Sequence, residues 1–139
     1  MRGYEALRQA AAWRDLSSRG RLKATGADRA RLIHAIASNA VESLAPGQGV
    51  YSFFLDAQGH IQADSNIFVH DDHLVIDSEP DAARSLLSHI ESYIIMDDVT
   101  LEDIGPSTAL LEVAGPSSRD IVASLSQQLP DAPLAFVKA

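Results

Sequence analysis

The chain has 139 residues, 46% of them hydrophobic and 22% charged, and carries a formal net charge of -8. That length buries a core of single-domain size, and the negative balance excludes the broad basic surface that nucleic-acid binding needs. There is no cysteine, which excludes disulfides, thiolate nucleophiles and cysteine-ligated metals.

Tyr4 to Trp13 sets Leu7, Ala11 and Ala12 among polar residues and reads as a short amphipathic helix. Residues 20–25 alternate and predict a strand, which Gly26 breaks. From Asp28 onward, Leu32, Ile33, Ile36 and Ala40 recur at helical spacing. Ala45 to Gly49 is rich in turn residues. Its Gly-Gln-Gly lacks the flanking glycines and the lysine of a phosphate loop and precedes a strand, so it reads as a helix-to-strand turn.

A β-rich stretch follows. Residues 50–56 form a strand, 57–59 a tight turn ending on Gly59, and 60–69 the return strand. A second turn at 70–72 leads to a third strand at 73–77, which makes an antiparallel meander. Pro80 opens a helix striped by Ala83, Leu86, Leu87 and Ile90 and ending near Tyr93. Residues 99–102 predict a short strand, Gly105-Pro106 a turn, and 109–115 another strand. A second proline-initiated helix begins at Gly115-Pro116 with Ile121, Val122 and Leu125 on one face; Pro130 and Pro133 end it, and 134–137 predict a last strand.

The class is α+β, an antiparallel sheet meander with packed helices. No apolar run approaches the ~18 residues of a membrane span, and the N-terminus has neither a secretory nor a transit pattern. A cytoplasmic protein is expected, with neither membrane nor nucleic acid as partner; the absence of cysteine fits a reducing compartment.

Several clusters bear on chemistry. His70-Asp71-Asp72-His73 holds metal-ligand residue types, but turn chemistry and splayed side chains favour an ordinary exposed hairpin, and no metal is expected. Ser17, Ser18, His34, His60 and His89 lack the Gly-x-Ser-x-Gly elbow and the fixed geometry of a hydrolase triad. Arg14, Arg19, Arg21, Lys23, Arg29 and Arg31 read as a solvated helix and strand face, with attraction of an anionic ligand as the rival reading. Asp64 stands apart, because aspartate is depleted from strands. Alternation puts Gln62, Asp64 and Asn66 on one sheet face and Ile61, Ala63, Ser65 and Ile67 on the other. A carboxylate beside two amides is a hydrogen-bonding platform; the plainer reading is the solvated side of a half-exposed sheet.

Four stretches, residues 4–41, 44–64, 93–104 and 110–122, follow in order and spacing a pattern that resembles the folate-binding family of the glycine-cleavage T-protein (aminomethyltransferase) and the YgfZ-type proteins. The resemblance implies a T-protein folate-binding-domain-like fold and tetrahydrofolate as ligand. It implies that Asp64, ending the Gly-x-Ile-x-x-Asp stretch from Gly59, accepts hydrogen bonds from the pterin's amino-pyrimidine edge, whose adjacent N–H donors suit a carboxylate. Tyr51 matches a tyrosine of the same wall, and only one of Phe53 and Phe54 lines it. If the chain is a transferase, Asp64 also positions the folate nitrogens for one-carbon transfer.

The departures favour the YgfZ-type branch, which is tied to folate-dependent maintenance of iron–sulfur enzymes. Transferases carry Asp-Asp where this chain has Ala63-Asp64, and an Asn after the next hairpin, where Asp77-Ser78-Glu79 stands here. The YgfZ-type Lys-Gly-Cys-Tyr stretch is absent, and family members are more than twice as long. The expectation is therefore the N-terminal portion of such a domain: residues 46–107 as one subdomain, with 1–45 and 108–139 as parts of an incomplete second one. Such a chain should be inactive alone, since positioning catalysis needs both walls of a site, and should expose an apolar surface for a missing C-terminal half or for self-association. The alternatives are an aminomethyltransferase and a structural module that has lost the ligand.

Overall fold

The computed structural model describes residues 3–125 and 129–137. Its elements in chain order are α1 (Gly3–Gln9), β1 (Ala12–Asp15), β2 (Gly20–Thr25), α2 (Arg29–Ile36), β3 (Gly49–Leu55), β4 (Ile61–Val69), β5 (Leu74–Ser78), α3 (Ala83–Glu91), β6 (Thr100–Asp103), β7 (Leu111–Ala114) and α4 (Ser118–Leu125). The strands form two sheets, a five-stranded one in the order β3-β4-β5-β2-β6 and a two-stranded one of β1 and β7. Every pairing is antiparallel. The α+β class and the meander β3-β4-β5 are thus as the alternation predicts.

One face of the large sheet carries the core. Phe54, Ile67, Ile76 and Leu22 point to it with no exposure, and α2 and α3 bring Ile33, Leu86 and Ile90 down onto them. Each such side chain stabilises the fold by roughly 1.5–3 kcal/mol. The tight turn between β3 and β4 uses Gly59 at φ +84°, while the Asp56 carboxylate accepts the Gln58 and His60 N–H groups at 2.9 Å. At the start of α2, Gly26 has φ +103°, and a Cβ there would lie 2.0 Å from the Asp98 carbonyl oxygen. The Asp28 carboxylate leaves the helix uncapped and instead accepts the Asp98 N–H at 2.9 Å, while Asp98 accepts the Ala27 N–H at 2.9 Å.

Three expectations need correction. The first helix stops at Gln9, and Trp13 lies in β1, paired with Val113, because strand pairing overrides the helical spacing of a short alanine-rich segment. Residues 134–137 form no strand; Leu134 is left-handed at φ 57°, and the segment makes one sheet-like bond, from the Phe136 N–H to the Gly47 carbonyl at 2.9 Å. The boundary drawn at residue 46 runs through the large sheet, since β2 pairs with both β5 and β6 and α2 packs on the same core. Leu22 and Ala24 of β2 are fully buried because that strand lies between β5 and β6 and not at a sheet edge.

Candidate functional site

The open face of the large sheet follows from the same alternation. Along β4, Ala63, Ser65 and Ile67 are buried, and Gln62, Asp64 and Asn66 face the other way. Antiparallel register sets Tyr51 opposite Asn66, Phe53 opposite Asp64, and Asp77 opposite Asn66. Residues paired in this way share a face, so four polar side chains of three strands converge. The Tyr51 hydroxyl donates to Asp64 Oδ2 at 2.9 Å. This bond holds the Tyr51 phenol above its usual range, so it stays a donor at any physiological pH. Among the described residues, Asp64 Oδ1 accepts no hydrogen bond and remains available as an acceptor.

Beside this pair lies an ionic cluster. The Arg19 Nε donates to both Asp77 oxygens, at 2.8 and 3.1 Å, Asn66 donates to Asp77 Oδ2 at 3.3 Å, and Arg19 also pairs with Glu79. Asp77, followed by Glu79, raises the Arg19 pKa against the opposing effect of burial, so its charge is permanent. Asp77 is buried and Arg19 half-buried. An ion-paired floor results, one guanidinium against two carboxylates, next to the Asp64 carboxylate with its unoccupied oxygen.

The opposite wall comes from the small sheet. Arg14 and Glu112, an ion pair across β1 and β7, and Leu110 close a cleft of about 330 Å³ over Tyr51, Asp64, Asn66 and Asp77. Arg21 ties the two walls together. Its guanidinium is buried and donates to neutral oxygens of both connecting segments: Thr108 Oγ1 at 2.7 Å and the carbonyls of Thr108, Gly105, Ser17 and Arg19 at 2.8–3.2 Å. Ser17 Oγ in turn accepts the Leu110 N–H at 3.1 Å.

The sequence-predicted residues sort clearly. Tyr51 and Asp64 meet in the cleft, and Phe53, not Phe54, is on their face, its ring 5.5 Å from Tyr51 in an edge-on contact. Ala63 points into the core, so the departure at that position leaves the cleft unaltered. Asp77 and Arg19 were not singled out for the site; the signal that exposes Asp64, an acidic residue inside a strand, applies equally to Asp77. The His70 and His73 rings do not splay but stack at 4.2 Å, with Phe136 4.4 Å from His70. No group of three or more potential metal ligands converges among the described residues. His34 accepts the Val41 N–H and His89 contacts the Leu55 carbonyl, so both brace loops and neither approaches Ser17 as a triad partner. Among the described residues no helix is long and apolar enough to cross a membrane.

The chain is similar to known proteins along most of its length. The profile of the GCVT N-terminal domain family matches residues 1–139. A chloroplastic protein of Arabidopsis thaliana named as a transferase is 29% identical over 113 residues, covering 81% of this chain and 26% of that one. Sarcosine oxidase subunit alpha of Corynebacterium sp. (strain U-96) is 26% identical over 92% of this chain and 14% of its own length. The aminomethyltransferase of Frankia alni is 27% identical over 98% of this chain and 37% of its own length. The glycine cleavage system aminomethyltransferase T of Bartonella henselae superposes with a TM-score of 0.75 at 16% identity, over 88% of this chain and 34% of that one. This chain thus spans little more than a third, or less, of each of these proteins.

Proposed function

This chain belongs to the GCVT N-terminal domain family, and on that premise we propose that its cleft binds the pterin of tetrahydrofolate, with Asp64 as the anchor. The carrying observation is the Tyr51–Asp64 pair: one carboxylate oxygen is fixed by the phenol and the other is unoccupied by any described residue. A pterin edge presents adjacent N–H donors, and a carboxylate already held in place accepts them without losing further rotamer freedom. The donor set also fits the rest of the ring, because Asn66 and Arg19 can donate to a carbonyl where Asp64 accepts. The edge of Phe53 supplies an apolar neighbour. Tetrahydrofolate would contribute its nitrogens as carriers of a one-carbon unit; this chain's residues would orient the ring and exclude water from one side of it.

Within the family we place the chain in the YgfZ-type branch, supporting iron–sulfur enzymes in the cytoplasm through folate. Asp77-Ser78-Glu79, standing where transferases carry an Asn, supports this reading, since Asp77 lines the cleft and is locked by Arg19. The second reading is an aminomethyltransferase, favoured by the likeness to the Frankia alni protein; Asp64 would then position folate for the transfer. A one-carbon transfer assay with the longer protein separates the two.

The binding claim is tested by calorimetry with 5-formyltetrahydrofolate. Saturable binding weakened roughly 10–100-fold in Asp64→Asn, the loss typical of a hydrogen bond to a charged group, is the expected result. Equal affinity in both proteins would move the site elsewhere. Absence of binding in both would mean that this wall does not hold folate unaided.

A further inference from the structure

Resting on the folate reading above, we propose that the cleft selects a cationic one-carbon form of tetrahydrofolate, the cyclic amidinium whose added carbon bridges two nitrogens, over neutral forms. The lining carries two guanidiniums, Arg14 and Arg19, and four carboxylates, Asp64, Asp77, Glu79 and Glu112. Both guanidiniums are engaged. Arg14 pairs with Glu112, and Arg19 pairs with both Asp77 and Glu79. The floor therefore keeps one negative charge beyond its cation. Asp64, whose donor among the described residues is the neutral Tyr51 hydroxyl, adds a second.

Arg21 does not cancel this excess. It lies outside the lining, buried against neutral oxygens. Its field also falls on Asp15, whose carboxyl is held below its usual range by the Ser17 hydroxyl and N–H first and by Arg21 last. The chain as a whole carries -8, so the surroundings reinforce the sign of the cleft. The aromatic groups act in the same direction. Tyr51 and Phe53 are 45 and 36% exposed on the face of Asp64, and aromatic rings attract a delocalised cation. A ligand charge held within a few ångström of such an excess is favoured roughly tenfold once solvent and salt screening are counted. The acidic tail of folate is common to both forms and drops out of the comparison.

The probes are 5,10-methenyltetrahydrofolate, which carries the cation, and 5-formyltetrahydrofolate, which differs from it by one water less a proton and is neutral at that position. Both are titrated by calorimetry into the chain, Glu79→Gln and Asp64→Asn. The pH is mildly acidic, where carboxylates stay ionised and hydroxide hydrolyses the amidinium slowly. The expected result is roughly tenfold tighter binding of the cation at low salt. That preference should shrink to about threefold or less in Glu79→Gln and at high salt. Equal affinities, or tighter binding of the neutral form, with both weakened in Asp64→Asn, would overturn this inference and leave the folate reading standing. A preference that neither salt nor Glu79→Gln changes would also overturn it, since selection would then be by shape. Failure of both folates to bind would overturn the folate reading, and this inference with it.

Discussion

The large sheet buries Phe54, Ile67 and Ile76 completely beneath α2 and α3, whereas the small sheet leaves Trp13 and Leu111 in solvent, and neither α1 nor α4 has a buried residue. Both regions combine antiparallel strands with amphipathic helices. The difference lies in closure: five strands and two helices enclose a core, while two strands and two short helices do not. Local sequence pattern therefore specifies an element but not its burial. Between the two regions, held by Arg21, lies the cleft with Asp64.

The sharpest break of this contrast comes from matched truncations. Phe54→Ala should cost about 3–5 kcal/mol through the cavity it leaves in a closed core. Leu111→Ala, at 61% exposure, should change stability by less than about 0.5 kcal/mol. Urea unfolding of both variants measures the gap, and similar losses would mean that the small sheet is as well packed as the large one. Next in size is Arg21→Met. It strips the carbonyls of Ser17, Gly105 and Thr108 of their donor, at about 2–3 kcal/mol. Hydrogen exchange should then rise in β1 and β7 before it rises in β3–β5. Uniform loss of protection would show that the two sheets open as one unit.

Gly26→Ala should cost about 1–3 kcal/mol, since its left-handed φ and the nearby Asp98 carbonyl leave no room for a methyl group. Thermal unfolding reads this directly. Smaller still is a pH effect at the same joint. The Asp98 N–H and, secondarily, Arg31 lower the pKa of Asp28. A depressed carboxylate contributes stability above its unfolded pKa and loses it as pH falls through the folded value. The melting temperature should therefore fall as pH drops below about 4, and Asp28→Asn should flatten that limb while lowering the plateau at neutral pH. An unchanged acid limb would remove Asp28 from the account.

Much of the large sheet was legible. Strict alternation located β2 and β4, Gly59 marked the hairpin, and Pro80 placed the helix that follows β5. The same alternation puts Asp64 and Asn66 on one face. What escaped was non-local. Nothing in Ala12–Asp15 announces its pairing with the distant Leu111–Ala114, so the segment reads as the end of a helix. Likewise β2 gave no sign that it would lie inside the sheet, beside β5 and β6. The Arg19–Asp77 pair joins residues 58 apart, and only the register of β2 against β5 brings them together. Charges along β1 and β2 looked like an ordinary solvated face because their partners are distant in sequence.

The central claim is that ligand recognition belongs to the open face of the large sheet and not to the apolar face of the small one. Backbone amide resonances followed by NMR during titration with 5-formyltetrahydrofolate test it most directly. The account predicts shifts concentrated at Tyr51, Phe53, Asp64, Asn66 and Asp77, and absent in Asp64→Asn. Shifts concentrated instead at Trp13, Leu111 and Ile121 would contradict it.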